Sequence, residues 1–205
     1  MSQERKEHWD NVYATKQPQE VSWTQEKPQT SLDFIHSFKV DKKASIIDIG
    51  GGDSKLVDYL IEEGFEDISV LDISEKALEK AKQRLGEKAA KVNWIVSDIT
   101  EFTPKKKYDV WHDRATFHFL TTATQVQKYM DIARNAVKNY ITIGTFSKNG
   151  PKKCSGLDIK QYTESELQAE LVKGFEKIKC INEDHVTPFN TVQNFLFCSF
   201  KRQSI

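Results

Sequence analysis

The stretch that decides the fold is Ile46-Ile47-Asp48-Ile49-Gly50-Gly51-Gly52-Asp53-Ser54, or IIDIGGGDS. Its short apolar run reads as a buried strand. Three glycines follow, then residues suited to opening a helix. Glycine lacks Cβ, so positive φ costs little and another group can approach the main chain closely. A helix start beyond such a turn offers unpaired N–H groups to a carboxylate or phosphate. In open α/β sheets, ligands bind beyond the carboxyl ends of the strands. The glycines are therefore read as leaving room for a ligand lying over the turn.

Working outward, strand and helix patterns alternate. Residues 54–63 form an amphipathic helix stopped by Gly64, and residues 68–71 a strand. Residues 75–85 form a helix with Ser74 as its N-cap and Gly86 at its end. Strands follow at 92–96 and 108–111, a helix at 125–138, a strand at 140–146 and a helix at 164–173. The rhythm then breaks, because 175–181 and 192–200 are consecutive strands. The expected class is α/β: a mostly parallel seven-stranded sheet with helices on both faces and a C-terminal antiparallel hairpin. One domain is expected over residues 1–205, with 1–40 as an N-terminal helical, lid-like segment.

Lys plus Arg (30) equals Asp plus Glu (30), so no global field attracts nucleic acid. No apolar run is long enough to span a bilayer, and the polar N-terminus lacks the apolar core of a signal peptide. A cytoplasmic protein with neither nucleic-acid nor membrane partners is expected. The three cysteines have no CxxC spacing, so neither a zinc site nor a disulfide framework is expected. Cys180 and Cys198 read as packing residues in strands, and Cys154 as a loop thiol.

The glycine spacing excludes a G-x-G-x-x-G dinucleotide loop, since Lys55 occupies the third glycine position. Asp48, Gly50 and Gly52 instead fit D-x-G-x-G. Downstream, VLDIS ends a strand with Asp72-Ile73, WIVSDIT ends another with Asp98-Ile99, and YDVWHDRATFHFL carries Asp109 and His112-Asp113-Arg114. In this order, the set resembles the class I S-adenosylmethionine-dependent methyltransferases. Ser54 departs from a position where that family often has glycine. The resemblance implies a Rossmann-like fold and S-adenosylmethionine as cofactor. It places Asp48, Gly50, Gly51 and Gly52 in the cofactor turn, Asp72 and Ile73 at the ribose, and Asp98 and Ile99 at the adenine. The N-terminal W-D-x-x-Y pattern of Trp9 to Tyr13, followed by Trp23, resembles a lid of small methyltransferases. It puts Tyr13 and Trp23 over the cofactor or, equally, makes them a staple.

Methyl transfer needs alignment and exclusion of water; a general base helps only when the acceptor arrives protonated. The candidates are Asp113, to hold an amine, His112, to take a proton, and Arg114; a local Asp113–Arg114 ion pair is the competing reading. His118, between Phe117 and Phe119, reads as a packed histidine. Lys152, Lys153 and Cys154 are expected to overhang the acceptor, with His185 and Gln193 at its edge. The expected acceptor is N, O or S of a small molecule. DRATF resembles a segment of some protein lysine methyltransferases, which makes a protein substrate one alternative. A non-catalytic cofactor-binding module is the other.

Overall fold

The computed structural model describes residues 2–203. Its main sheet contains β1 (Ser45–Ile49), β2 (Asp67–Asp72), β3 (Val92–Val96), β4 (Tyr108–Arg114), β5 (Val137–Phe146), β6 (Phe175–Val186) and β7 (Val192–Arg202). The spatial order is β3-β2-β1-β4-β5-β7-β6. The first five strands run parallel, and β7 lies antiparallel between β5 and β6. The expected α/β class and closing hairpin are both present.

A parallel sheet must be covered on both faces. Alternation along the strands decides which side chains meet which helices. Ile46 and Val110 face α2 (Gln29–Ser37), α3 (Leu56–Glu62) and α4 (Glu75–Leu85), packing with Leu32, Ile35, Leu56 and Leu60. Ile47 and Trp111 face the other way, toward Tyr129, Met130 and Ala133 of α5 (Ala123–Ala136) and Leu167 of α6 (Glu164–Leu171). All of β1 is buried, as a central strand requires. Ser74 Oγ accepts from the Ala77 N–H at 3.2 Å, and Gly86 ends α4 at φ +57°. Strand order reverses beside β1, so a crevice opens between the carboxyl ends of β1 and β4. The N-terminal helix α1 (Ser2–Thr15) and the irregular residues 16–28 reach this end of the sheet.

Two expectations are corrected. The fourth strand runs three residues further than its pattern suggested, so His112, Asp113 and Arg114 are ladder residues paired with β5. The expectation of no disulfide also fails, because Cys180 on β6 and Cys198 on β7, packed in or against the core as expected, form one. They face each other in the hairpin register with Cα atoms 4.1 Å apart. Directly opposed residues of an antiparallel pair approach this distance only at non-hydrogen-bonded positions, where Cα atoms sit about 4.5 Å apart. Cys154 is buried in a short ribbon, Lys153–Cys154 against Leu157–Asp158, where a loop was expected, and it borders the cavity at the carboxyl ends of the strands.

Candidate active site

A cavity of about 570 Å³ lies over the carboxyl ends of β1 to β4. That volume is in the usual range for small-molecule sites. Asp48, Gly50, Gly51, Asp72, Ile73, Asp98, Ile99, His112, Arg114, Tyr13 and Trp23 all line it. Gly52 and Asp113 do not.

The glycine turn is also required by the protein's own packing. A Cβ on Gly50, at φ +65°, would strike the Thr116 side chain. On Gly51 it would fall 2.6 Å from Asp48 Oδ2, and on Gly52, at φ +44°, 2.7 Å from the Tyr13 hydroxyl. The missing side chains make room first for the protein's own groups. Gly50 and Gly51 still border the cavity, while Tyr13 covers Gly52.

Asp72 closes β2 with its carboxylate buried beside this turn. Its Oδ1 accepts from the Ser74 N–H at 2.8 Å. Burial pushes its pKa up to about 7, with Asp48 and Asp10 adding to the rise against the bond from Ser74. Additional hydroxyl donors would relieve that cost, since an ionised carboxylate has acceptor capacity to spare. Asp98 behaves differently. Its Oδ1 takes both the N–H and the hydroxyl of Thr100, and its Oδ2 takes Arg5 Nη2 at 2.6 Å. Arg5 thus stands at the position assigned to adenine recognition. Nothing in its polar N-terminal sequence marked it.

On β4, side-chain parity separates the catalytic candidates. His112 and Arg114 point to the cavity side, and Asp113 to the opposite face. Asp113 is fully buried and accepts from the N–H groups of Thr116 and Phe117 and from the Tyr129 hydroxyl. Burial raises its pKa to about 6 against those bonds. Its assignment as an acceptor-binding group is therefore corrected: it anchors the β4 turn to α5. His112 Nδ1 lies 2.7 Å from Asp48 Oδ1, and its Nε2 lies 2.8 Å from Ser31 Oγ. A carboxylate can only accept, so Nδ1 carries a proton. Asp48, His112 and Ser31 thus form a line of hydrogen bonds in the cavity wall. Asp109 sits at the far, amino end of β4, where it accepts from the Ser45 N–H and Lys138.

Arg114 Nη1 donates to the Trp23 carbonyl at 3.0 Å, and its guanidinium lies 4.9 Å from the Phe195 ring centre. No Asp113–Arg114 ion pair occurs among the described residues. Trp9 meets Tyr13, Trp23 and Phe119 in ring contacts of 6.4, 5.6 and 5.1 Å. These rings are both staple and cavity wall. His118 is packed as expected, stacked on Phe146 at 4.3 Å, and burial lowers its pKa to about 3. His185 faces the Ser22 carbonyl at 2.7 Å, tying residues 16–28 to the hairpin rather than edging the cavity. Lys153 pairs with Asp158 outside the cavity. Among the described residues, no group of three or more His, Cys, Asp or Glu side chains could hold a metal ion. No helix there is long and apolar enough to cross a membrane.

The strand order, the glycine turn and the acids closing β2 and β3 define the fold of class I S-adenosylmethionine-dependent methyltransferases. A family model described as a methyltransferase domain matches residues 40–196, and the chain belongs to that family. Malonyl-[acyl-carrier protein] O-methyltransferase 1 of Ilyobacter polytropus is 35% identical over 89 residues, covering 42% of this chain and 32% of that protein. EEF1A lysine methyltransferase 2 of Danio rerio is 26% identical over 147 residues, covering 67% and 60%. The chain thus spans less than two thirds of the length of either relative. The N-methyltransferase NodS of Bradyrhizobium japonicum, solved with S-adenosyl-L-homocysteine, aligns with a TM-score of 0.76 at 14% identity, covering 97% of this chain and 98% of NodS.

Proposed function

We propose that this chain transfers a methyl group from S-adenosylmethionine to an N, O or S atom of a small molecule. The residues present fit that cofactor: Asp72 offers a buried acceptor to a cis-diol, Gly50 and Gly51 border the cavity with bare backbone, and Ile73 and Ile99 supply apolar walls. When bound, the cofactor supplies a methyl carbon whose bond to the sulfonium breaks toward sulfur as the acceptor's lone pair forms the new bond.

The remaining work falls to the chain. Trp9, Tyr13, Trp23 and Phe119 exclude water from one end of the cavity, which strengthens electrostatic interactions inside. The Asp48–His112–Ser31 line draws a proton from an acceptor that arrives protonated, with Asp48 stabilising the charged imidazole. The observation that carries the small-molecule reading is the aromatic wall itself, which encloses the acceptor end of the cavity between α1, residues 16–28 and β4.

A protein acceptor is the second reading, favoured by the similarity to a lysine methyltransferase over 67% of this chain. Incubation with methyl-tritiated S-adenosylmethionine and a cell lysate separates the two. Label in the small-molecule fraction supports the first reading; label confined to precipitated protein overturns it. Tight cofactor binding with label in neither would indicate a non-catalytic module.

A further inference from the structure

We propose that the methyl acceptor is a carboxylic acid with an apolar body, its carboxylate held by the Arg114 guanidinium. This deepens the small-molecule reading and rests on it. Arg114 is a cation built into the cavity wall without a counter-ion. Among the described residues it forms no ion pair within 4 Å. Its one hydrogen bond among those residues goes to a neutral carbonyl, that of Trp23. Its Nε is sealed from solvent and has no partner among them. Glu183 and Asp48 act on it only at longer range, and Asp48 is already engaged by His112.

The titratable side chains beside it other than these two carboxylates supply no compensating charge. Burial pushes the Cys154 thiol up to about 11, so it stays protonated at neutral pH. Burial likewise lowers the pKa of His118 and of His185, which keeps both rings neutral. Arg114 itself is lowered to about 10 by burial and remains charged.

A half-buried cation with no counter-ion in contact carries a desolvation cost. A planar carboxylate in the cavity relieves it, because it accepts two parallel N–H bonds from the Nη1 and Nη2 end of the guanidinium fork, the sealed Nε taking no part. The surrounding surface fits the rest of such a molecule: Trp23, Phe119, Phe146 and Phe195 line the cavity with Arg114 and offer aromatic walls to an apolar body. The same cation opposes a lysine ammonium. The competing role for Arg114 is purely mechanical, as a tether for the Trp23 carbonyl. That role would confer no preference among ligand charges.

Calorimetry on the full chain saturated with S-adenosylhomocysteine tests the assignment, using phenylacetate, phenylacetamide and phenethylamine as probes of equal skeleton. Phenylacetate is expected to bind about tenfold or more tightly than the amide, with the amine weakest. Arg114→Met should erase the preference, and Arg114→Lys should keep part of it, while both variants bind S-adenosylhomocysteine within about threefold of the parent. Equal binding of the three probes, no binding of phenylacetate, or a preference that survives in Arg114→Met overturns the proposal. Loss of S-adenosylhomocysteine binding by the parent protein would instead strike the underlying methyltransferase reading, so the two failures are distinguishable.

Discussion

Burial sets the Asp72 carboxylate near pKa 7, and cofactor affinity should therefore depend on pH. Only the ionised form accepts from both hydroxyls of a ribose. At about pH 6 roughly a tenth of the free protein carries that form, and at about pH 8 roughly nine tenths. Affinity should thus rise about tenfold across the interval, or about 1.4 kcal/mol, and level off above it. The sign follows from the ligand's preference: hydroxyl donors stabilise the anion, so binding lowers the pKa and releases a proton. The groups facing Asp72 are the Ser74 and Gly52 N–H groups, the carboxylates of Asp48 and Asp10, and the Tyr13 hydroxyl. Burial raises the Tyr13 pKa well beyond the interval, so it does not titrate there. The suitable ligand is 5′-methylthioadenosine, which keeps the sugar and base but has no amino acid to ionise. Calorimetry from about pH 6 to 8 should show the rise in the parent. Asp72→Asn retains an acceptor for Ser74 but should bind about tenfold more weakly at high pH, with a flat profile. A flat profile in the parent, or the same slope in Asp72→Asn, would refute the reasoning.

Asp113→Ala leaves two buried donors and one half-buried donor unpaired, so it should lower stability by about 3 kcal/mol, read as a fall in melting temperature. Ser31→Ala and His112→Gln should reduce kcat about 100-fold for an acceptor that must lose a proton, yet leave S-adenosylhomocysteine affinity within about threefold. An unchanged kcat would remove the relay. The raised pKa values of Asp72 and Asp113 make the folded state hold protons that the unfolded chain has lost between about pH 4 and 7, so these two groups lower stability as pH rises through that window, against the opposite pull of His118 and His185, whose lowered pKa values leave the unfolded chain holding the proton. The melting temperature should therefore fall more steeply, or climb less, with pH in the parent than in Asp72→Asn; equal slopes would contradict the Asp72 shift. Finally, alkylation of the unfolded, unreduced protein should label Cys154 alone; labelling of three cysteines would exclude the Cys180–Cys198 bridge.

The central strands and the glycine turn were legible because their signal is local: an apolar run, then residues able to take positive φ. The end of β4 was not, since His-Asp-Arg reads as a loop until β1 and β5 pair with it. Asp48 lies opposite His112 in the register, and Ile143 opposite Asp113. Once the strand is extended, parity alone sends Asp113 away from the cavity with Trp111. The disulfide depends on the register of a hairpin whose strands are eighteen residues apart at the cysteines, which no short spacing encodes. Arg5 and Ser31 enter the site through packing of the N-terminal helices, and a linear pattern carries no record of that docking.

The N-terminal segment is fastened at both ends. Arg5 grips Asp98 at one side of the sheet, while Ser22 and Trp23 are held by His185 and Arg114 at the other. A segment pinned this way cannot leave the sheet as one piece without breaking contacts at both margins of the cavity.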